Sequence, residues 1–203
     1  MFFVYFSFKG SFWQGYSPEK RLKILQALEK KMAKKQSRPE VKVEVYPDPD
    51  WPSLGMFEVK GGKQTLFINE KLIWNPQLRF FAMETIIHEG RHAYQYYVIT
   101  NKKINWYNFK EKRWKANWEG YIPSSESEAA YNIQAVERDA QSFTLKMLKK
   151  LSYKYRHEQA FRVTLRANQD RFDQSEFDAR RAFGRFYKQK INKTIKERST
   201  YEK

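Results

Sequence analysis

The chain has 203 residues, with 39 Lys and Arg against 23 Asp and Glu and no cysteine. A net charge of +16 favours anionic partners without naming one, while 41% hydrophobic and 17% aromatic content argues against disorder. The missing cysteines exclude disulfides, thiol nucleophiles and cysteine-ligated zinc, so any transition metal must be held by His and carboxylate.

From the N-terminus, MFFVYFSFKG (1–10) is an apolar run too short to cross a bilayer. It lacks the basic segment and cleavage site of a signal peptide and reads as a buried strand. In 16–36, Ser17 stands as a cap and Pro18 at the first helical position, followed by Leu22, Ile24, Leu25, Leu28 and Met32 at helical spacing. This predicts an amphipathic helix. VKVEVYP (41–47) alternates apolar and charged residues as a strand does, and PDPDWP ends it. MFEVKGGKQTLFIN (56–69) is two strand-like runs around Gly61-Gly62, a pair that accepts the positive φ of a tight hairpin. From about Pro76 the spacing of Leu78, Phe81, Ala82, Thr85 and Ile86 turns helical. Residues 101–123 mix Lys with Trp and Tyr and read as an irregular or weakly helical connector. A further helix is expected over 124–151, opened by Ser125 and Glu128 in capping-box spacing. Two more follow over 152–203, the later opened by Ser175 and Asp178.

These elements predict an α+β domain over 1–151, with a small, mostly antiparallel sheet, and a basic helical extension over 152–203 packed on it. Residues 144–203 carry 17 Lys and Arg against 7 Asp and Glu. With no transmembrane segment, the chain is expected in the cytoplasm, or exported without a recognisable signal.

The helix from Pro76 carries TIIHEGRHAYQ (85–95), which holds two of the three histidines. On a helix, residues i and i+4 share a face, so His88 and His92 can direct ring nitrogens at one metal ion. Glu89, three positions before His92, stays on that face as a base for an attacking water. The number of H-E-x-x-H matches expected by chance in this composition is on the order of 0.004. Two histidines are one ligand short of a catalytic zinc site. The residues themselves leave several candidates for the third: His157, and Glu126, Glu128, Glu137 and Asp139 in the next helical region.

TIIHEGRHAYQ followed by YNIQAVERDAQSF resembles the active-site helix and glutamate helix of small gluzincin-type zinc metallopeptidases, minimal domains of bacterial and phage proteins and of polymorphic toxins. The resemblance spans about 80–145. It implies a zincin-like fold, Zn2+ held by His88, His92 and Glu137, Glu89 as general base, and a peptide or protein substrate, with a toxin-like protease of narrow target as a variant. The family's glutamate falls in a Gln-Pro-x-Glu-x-Asp-Ala pattern; here Ala135 replaces the proline, which leaves the helix start open. Glu137 and Asp139, about 200° apart around a helix, do not both face one metal. Asp139 is expected to bond a backbone group, Arg91 or another basic neighbour, or to stand behind a ligating histidine.

Negative charge developing on a carbonyl oxygen requires a donor near the metal, and Tyr131, Tyr121 and His157 are the candidates. Gly90 in mid-helix costs about 1 kcal/mol relative to alanine. It marks a close approach by another backbone or a substrate, or is simply tolerated. KQTLFIN (63–69) is the candidate sheet edge for adding a substrate strand, with an interior strand as its equal alternative. A function of another class, a nucleic-acid-binding or other basic binding module on the same scaffold, rests on the net charge and on aromatics interleaved with Lys and Arg in 101–118 and 152–190. The basic C-terminal segment is thereby a candidate contact for an anionic partner.

Overall fold

The N-terminal aromatic run folds as two short helices, α1 (Phe3–Phe6) and α2 (Gly10–Trp13), where a strand is expected from the sequence. The structure, a computed structural model, describes the backbone of residues 3–48, 50–101 and 109–201, and side chains between residues 4 and 183. A short apolar run demands burial without choosing between strand and helix, and burial is what these residues obtain: Tyr5, Phe8 and Trp13 are all buried. Arginines take carbonyls that a sheet would have paired. Arg79 Nε donates to the Phe8 carbonyl at 3.1 Å, and Arg21 reaches the carbonyls of Trp13 at 3.3 Å and Ile73 at 2.8 Å.

Helix α3 (Pro18–Lys35) starts where Ser17 Oγ accepts a hydrogen bond from the Lys20 amide, and its stripe of Ile24, Leu25, Leu28 and Met32 is buried. Strands β1 (Lys42–Val45), β2 (Gly55–Lys60) and β3 (Lys63–Ile68) form one sheet in the order β1-β3-β2. Gly61 and Gly62, at φ 57° and 77°, make the expected hairpin turn, pairing Phe57 with Leu66 and Gly55 with Ile68. The sheet is mixed, since β1 runs parallel to β3. The expected edge at 63–69 is therefore the central strand. The reason is the return path: the chain passes from β1 to the far side as β2, and β3 fills the gap, pairing on both sides. Among the described residues the free edges belong to β1 and β2.

Asn69 caps a short helix α4 (Glu70–Trp74), and a 3-10 turn at Pro76–Leu78 leads into α5 (Arg79–Thr100). Helix α5 runs through the middle of the molecule, against α3, β2 and β3 and the later helices, so Ala82, Met83, Ile86, Ile87 and Ala93 are fully buried. In the expected connector, 109–119 is a regular helix, α6 (Phe109–Glu119), and 102–108 lies outside the described residues. The helix expected over 124–151 is two, α7 (Glu128–Ile133) and α8 (Ala135–Tyr155). Its cap is Ser127, whose Oγ accepts from the Ala130 amide at 3.2 Å, not Ser125.

The two helices expected after residue 152 are one, α9 (Gln159–Tyr201), which packs on α7, α8 and α5. Ser175 lies buried inside it and donates to the Asn132 carbonyl at 2.7 Å. Asp178 accepts from Gln174 at 3.0 Å and Asn132 at 3.4 Å. The capping-box spacing is a local signal, and here both side chains serve instead to tie the C-terminal end of α7, whose last carbonyls have no helical partner. No helix among the described residues is long and apolar enough to cross a membrane.

Candidate metal centre

Two helices build the site. On α5, His88 and His92 lie one turn apart with ring centroids 4.9 Å from each other and their Nε2 atoms 3.2 Å apart. On α8, Glu137 occupies the first turn, where the helix dipole favours a carboxylate. The start of α8 is set from outside it. Gln134 is extended, its Oε1 accepting from the Ile122 amide at 2.9 Å and its Nε2 donating to the Ile122 carbonyl at 2.7 Å, while Asn117 Oδ1 accepts from the Val136 amide at 3.1 Å. Ala135 is thus the first helical residue, where a proline is equally at home because that amide has no helical partner. Alanine at 135 leaves Glu137 in the first turn of α8.

Glu137 is 1% exposed and straddles the two imidazoles, with Oε2 3.3 Å from His88 Nε2 and Oε1 3.4 Å from His92 Nε2. For a four-coordinate ion with bonds of about 2.0–2.1 Å, neighbouring donor atoms stand about 3.3–3.4 Å apart. The two distances are to different carboxylate oxygens; with one ligand atom taken from each residue the three lie within 4.8 Å of one another, a group that could hold a metal ion once the side chains draw together. Compared with protein-family models, curated proteins and solved structures, the chain matches none.

Hydrogen bonds behind the donors fix their orientation. Gln95 Nε2 donates to the Val136 carbonyl at 2.9 Å and to Asp139 Oδ2 at 3.0 Å, which turns its Oε1 toward His92 Nδ1 at 2.9 Å. His92 Nδ1 must then carry the hydrogen, leaving Nε2 to face Glu137 and His88. Gln95 has no place in the sequence reading, though its spacing of three from His92 on one helix was the available signal. Asp139 does bind Arg91, at 2.7 Å, and Lys110 as well. Although burial works the other way, the bonds from Arg91, Lys110 and Gln95 hold its carboxyl below the usual range.

Both candidate tyrosines reach the site, but their hydroxyls donate to Glu137: Tyr121 to Oε1 at 2.8 Å and Tyr131 to Oε2 at 2.6 Å. Burial, then the charge of Glu137, pushes both phenols well above their ordinary range. His157 is not brought in. It follows the C-terminal end of α8, about 27 Å along the helix from Glu137, where it is exposed, bonded to Arg156 and close to Tyr5 and Tyr153. Of the other carboxylates considered, Glu126 and Glu128 precede α8 and are absent from the donor group.

Burial lowers the affinity of His92 for a proton, but Glu137 overrides it and lifts the pKa to about 9; against the same cost of burial, the histidines hold Glu137 well below the carboxylate range. In the absence of metal these shifts favour an imidazolium facing a carboxylate. Glu89 is partly open to solvent, and burial raises its pKa against the opposing pull of the two histidines. Gly55, at the start of edge strand β2, lies directly over it. A Cβ there would stand 2.3 Å from Thr85 Cγ2 and 3.1 Å from Glu89 Cγ, so the absence of a side chain is what lets the strand pass this close. Gly90 makes room for the Arg38 guanidinium, 3.1 Å from where its Cβ would be. Neither a backbone nor a substrate is needed to explain it.

Proposed function

We propose that the chain is a zinc-dependent peptidase with a zincin-like arrangement of its two site helices, and that His88, His92 and Glu137 hold the ion. The observation that carries this reading is the donor cluster: the Nε2 atoms of His88 and His92 lie 3.2 Å apart, each faces a different oxygen of Glu137 at 3.3–3.4 Å, and Glu89 stands beside them on α5. Two imidazoles and one carboxylate are a donor set that suits zinc and leaves a fourth position for water or substrate. A zinc ion there supplies Lewis acidity, making a water acidic near neutral pH and polarising a peptide carbonyl.

The chain's own residues do the rest. Glu89 takes the proton of the attacking water and returns it to the leaving amine, and a carboxyl raised by burial suits a group that must both accept and give. Gln95 holds His92 in the tautomer that offers Nε2, with Asp139 anchoring Gln95. Tyr131 keeps Glu137 in place, while Tyr121, 43% exposed, would give up its 2.8 Å bond to Glu137 to donate to a developing oxyanion. The edge of β2, which Gly55 brings over Glu89, is the place for an extended substrate to add as a strand. Zinc content after purification tests the first step, and peptide profiling of the zinc-loaded wild type against Glu89→Gln tests the second. Protein that neither retains nor binds zinc, or cleavage retained by the glutamine variant, overturns the reading.

A further inference from the structure

We propose that the outer face of α8, between α6 and α9, is a binding groove for single-stranded nucleic acid. Two open hollows of about 300 and 470 Å3 share Ser142 and Phe172 and so adjoin each other along the helix. Lys110 and Arg113 of α6 and Arg138, Lys146, Lys149 and Lys150 of α8 line them. The two lining carboxylates are already neutralised, Asp139 by Arg91 and Lys110 and Glu176 by Arg138. Arg113, Lys146, Lys149 and Lys150 make no ion pair among the described residues, leaving four cations facing the hollows.

The three lysines stand at i, i+3 and i+4, where like charges repel and weaken a helix by a few tenths of a kcal/mol per pair. The fold gains nothing from that arrangement, whereas a polyanion would. From Arg138 to Lys150 the lining runs about 18 Å along α8, room for several phosphates of an extended strand. Rings decide between polyanions. Phe172 lines both hollows, and Phe109, 73% exposed, lies beside Arg113 with the guanidinium 5.9 Å from its ring. Bases stack on such rings while cations track the backbone; an acidic polypeptide would use only the cations. Lys146 lies about 180° around the helix from Glu137, so the groove does not depend on the peptidase reading.

The test is fluorescence anisotropy of labelled dT12 with the full chain. With about four phosphates neutralised, affinity should fall about 50-fold between 50 and 200 mM salt, from a slope of −0.7 per phosphate. Replacing Lys146, Lys149 and Lys150 together by Glu should weaken binding tenfold or more, while the charge-matched change of exposed Lys20, Lys23 and Lys34 to Glu costs less than threefold. If charge reversal lowers the melting temperature, replacing the same three lysines by Gln repeats the comparison. No binding of dT12 at 50 mM salt, equal losses in the groove variant and its control, or tighter binding of a labelled twelve-residue polyglutamate peptide would each overturn the assignment.

Discussion

The two faces of α8 handle charge in opposite ways. On the inner face Glu137 is buried, with both oxygens bonded to tyrosines and both imidazoles within reach. On the outer face Lys146, Lys149 and Lys150 stand exposed with no carboxylate among the lining residues of their hollow. A buried charge is tolerable only when partners replace water, so the inner face leaves no latitude in its neighbours. Exposed lysines need no partner, and their arrangement is free to serve something outside the fold. One helix thus presents a site defined by satisfaction and another defined by surplus.

The largest predicted effect falls on α5, opposite the inner face: Glu89→Gln should lower the proposed hydrolysis about 10²–10⁴-fold with zinc stoichiometry unchanged, measured by peptide turnover and metal analysis on the same sample. Glu137→Ala removes a donor and should cost zinc affinity more than the 10–100-fold typical of a supporting residue. Competition with a chelator measures this, and near wild-type affinity would move the third ligand elsewhere. Gln95→Leu frees the His92 tautomer and should fall within that 10–100-fold range.

The tyrosines sharpen the comparison. Tyr121→Phe should reduce turnover with little change in zinc affinity, and Tyr131→Phe should do the reverse; a common effect would give them one role. Titration provides the smallest and most specific signal. Because His92 is raised to about 9 in the metal-free protein and Glu137 is lowered, their pair contributes fully between about pH 4.5 and 6.5, and that contribution is lost as pH rises through about 9 or falls through the lowered value of Glu137. Metal must displace this proton, so zinc affinity should rise about tenfold per pH unit between 6 and 8, with one proton released per ion. Calorimetry in buffers of different ionisation enthalpy counts it, and an answer of zero would show that His92 is already neutral before metal binds.

Legibility followed the range of the signal. The Ser17 cap, the Gly61-Gly62 hairpin and the i, i+4 histidines depend on residues within one turn of each other, and each stands as read. Where two uses of a local pattern compete, tertiary contacts chose between them. Ser175 and Asp178 have the spacing of a cap but tie α7 instead, and the N-terminal aromatics bury as helices, with arginine side chains bonding the carbonyls of Phe8 and Trp13.

Sequence alone determined the helical face carrying His88, Glu89 and His92, because helical periodicity requires it, and it narrowed the third donor to a few carboxylates and one histidine. Tertiary structure alone decided that Glu137 meets the imidazoles while His157 lies a helix length away. It also decided that β2 rather than β3 is the edge passing over Glu89, and that Tyr121 and Tyr131 spend their hydroxyls on Glu137. Those outcomes rest on which distant segments pack together, which spacing along one chain does not encode.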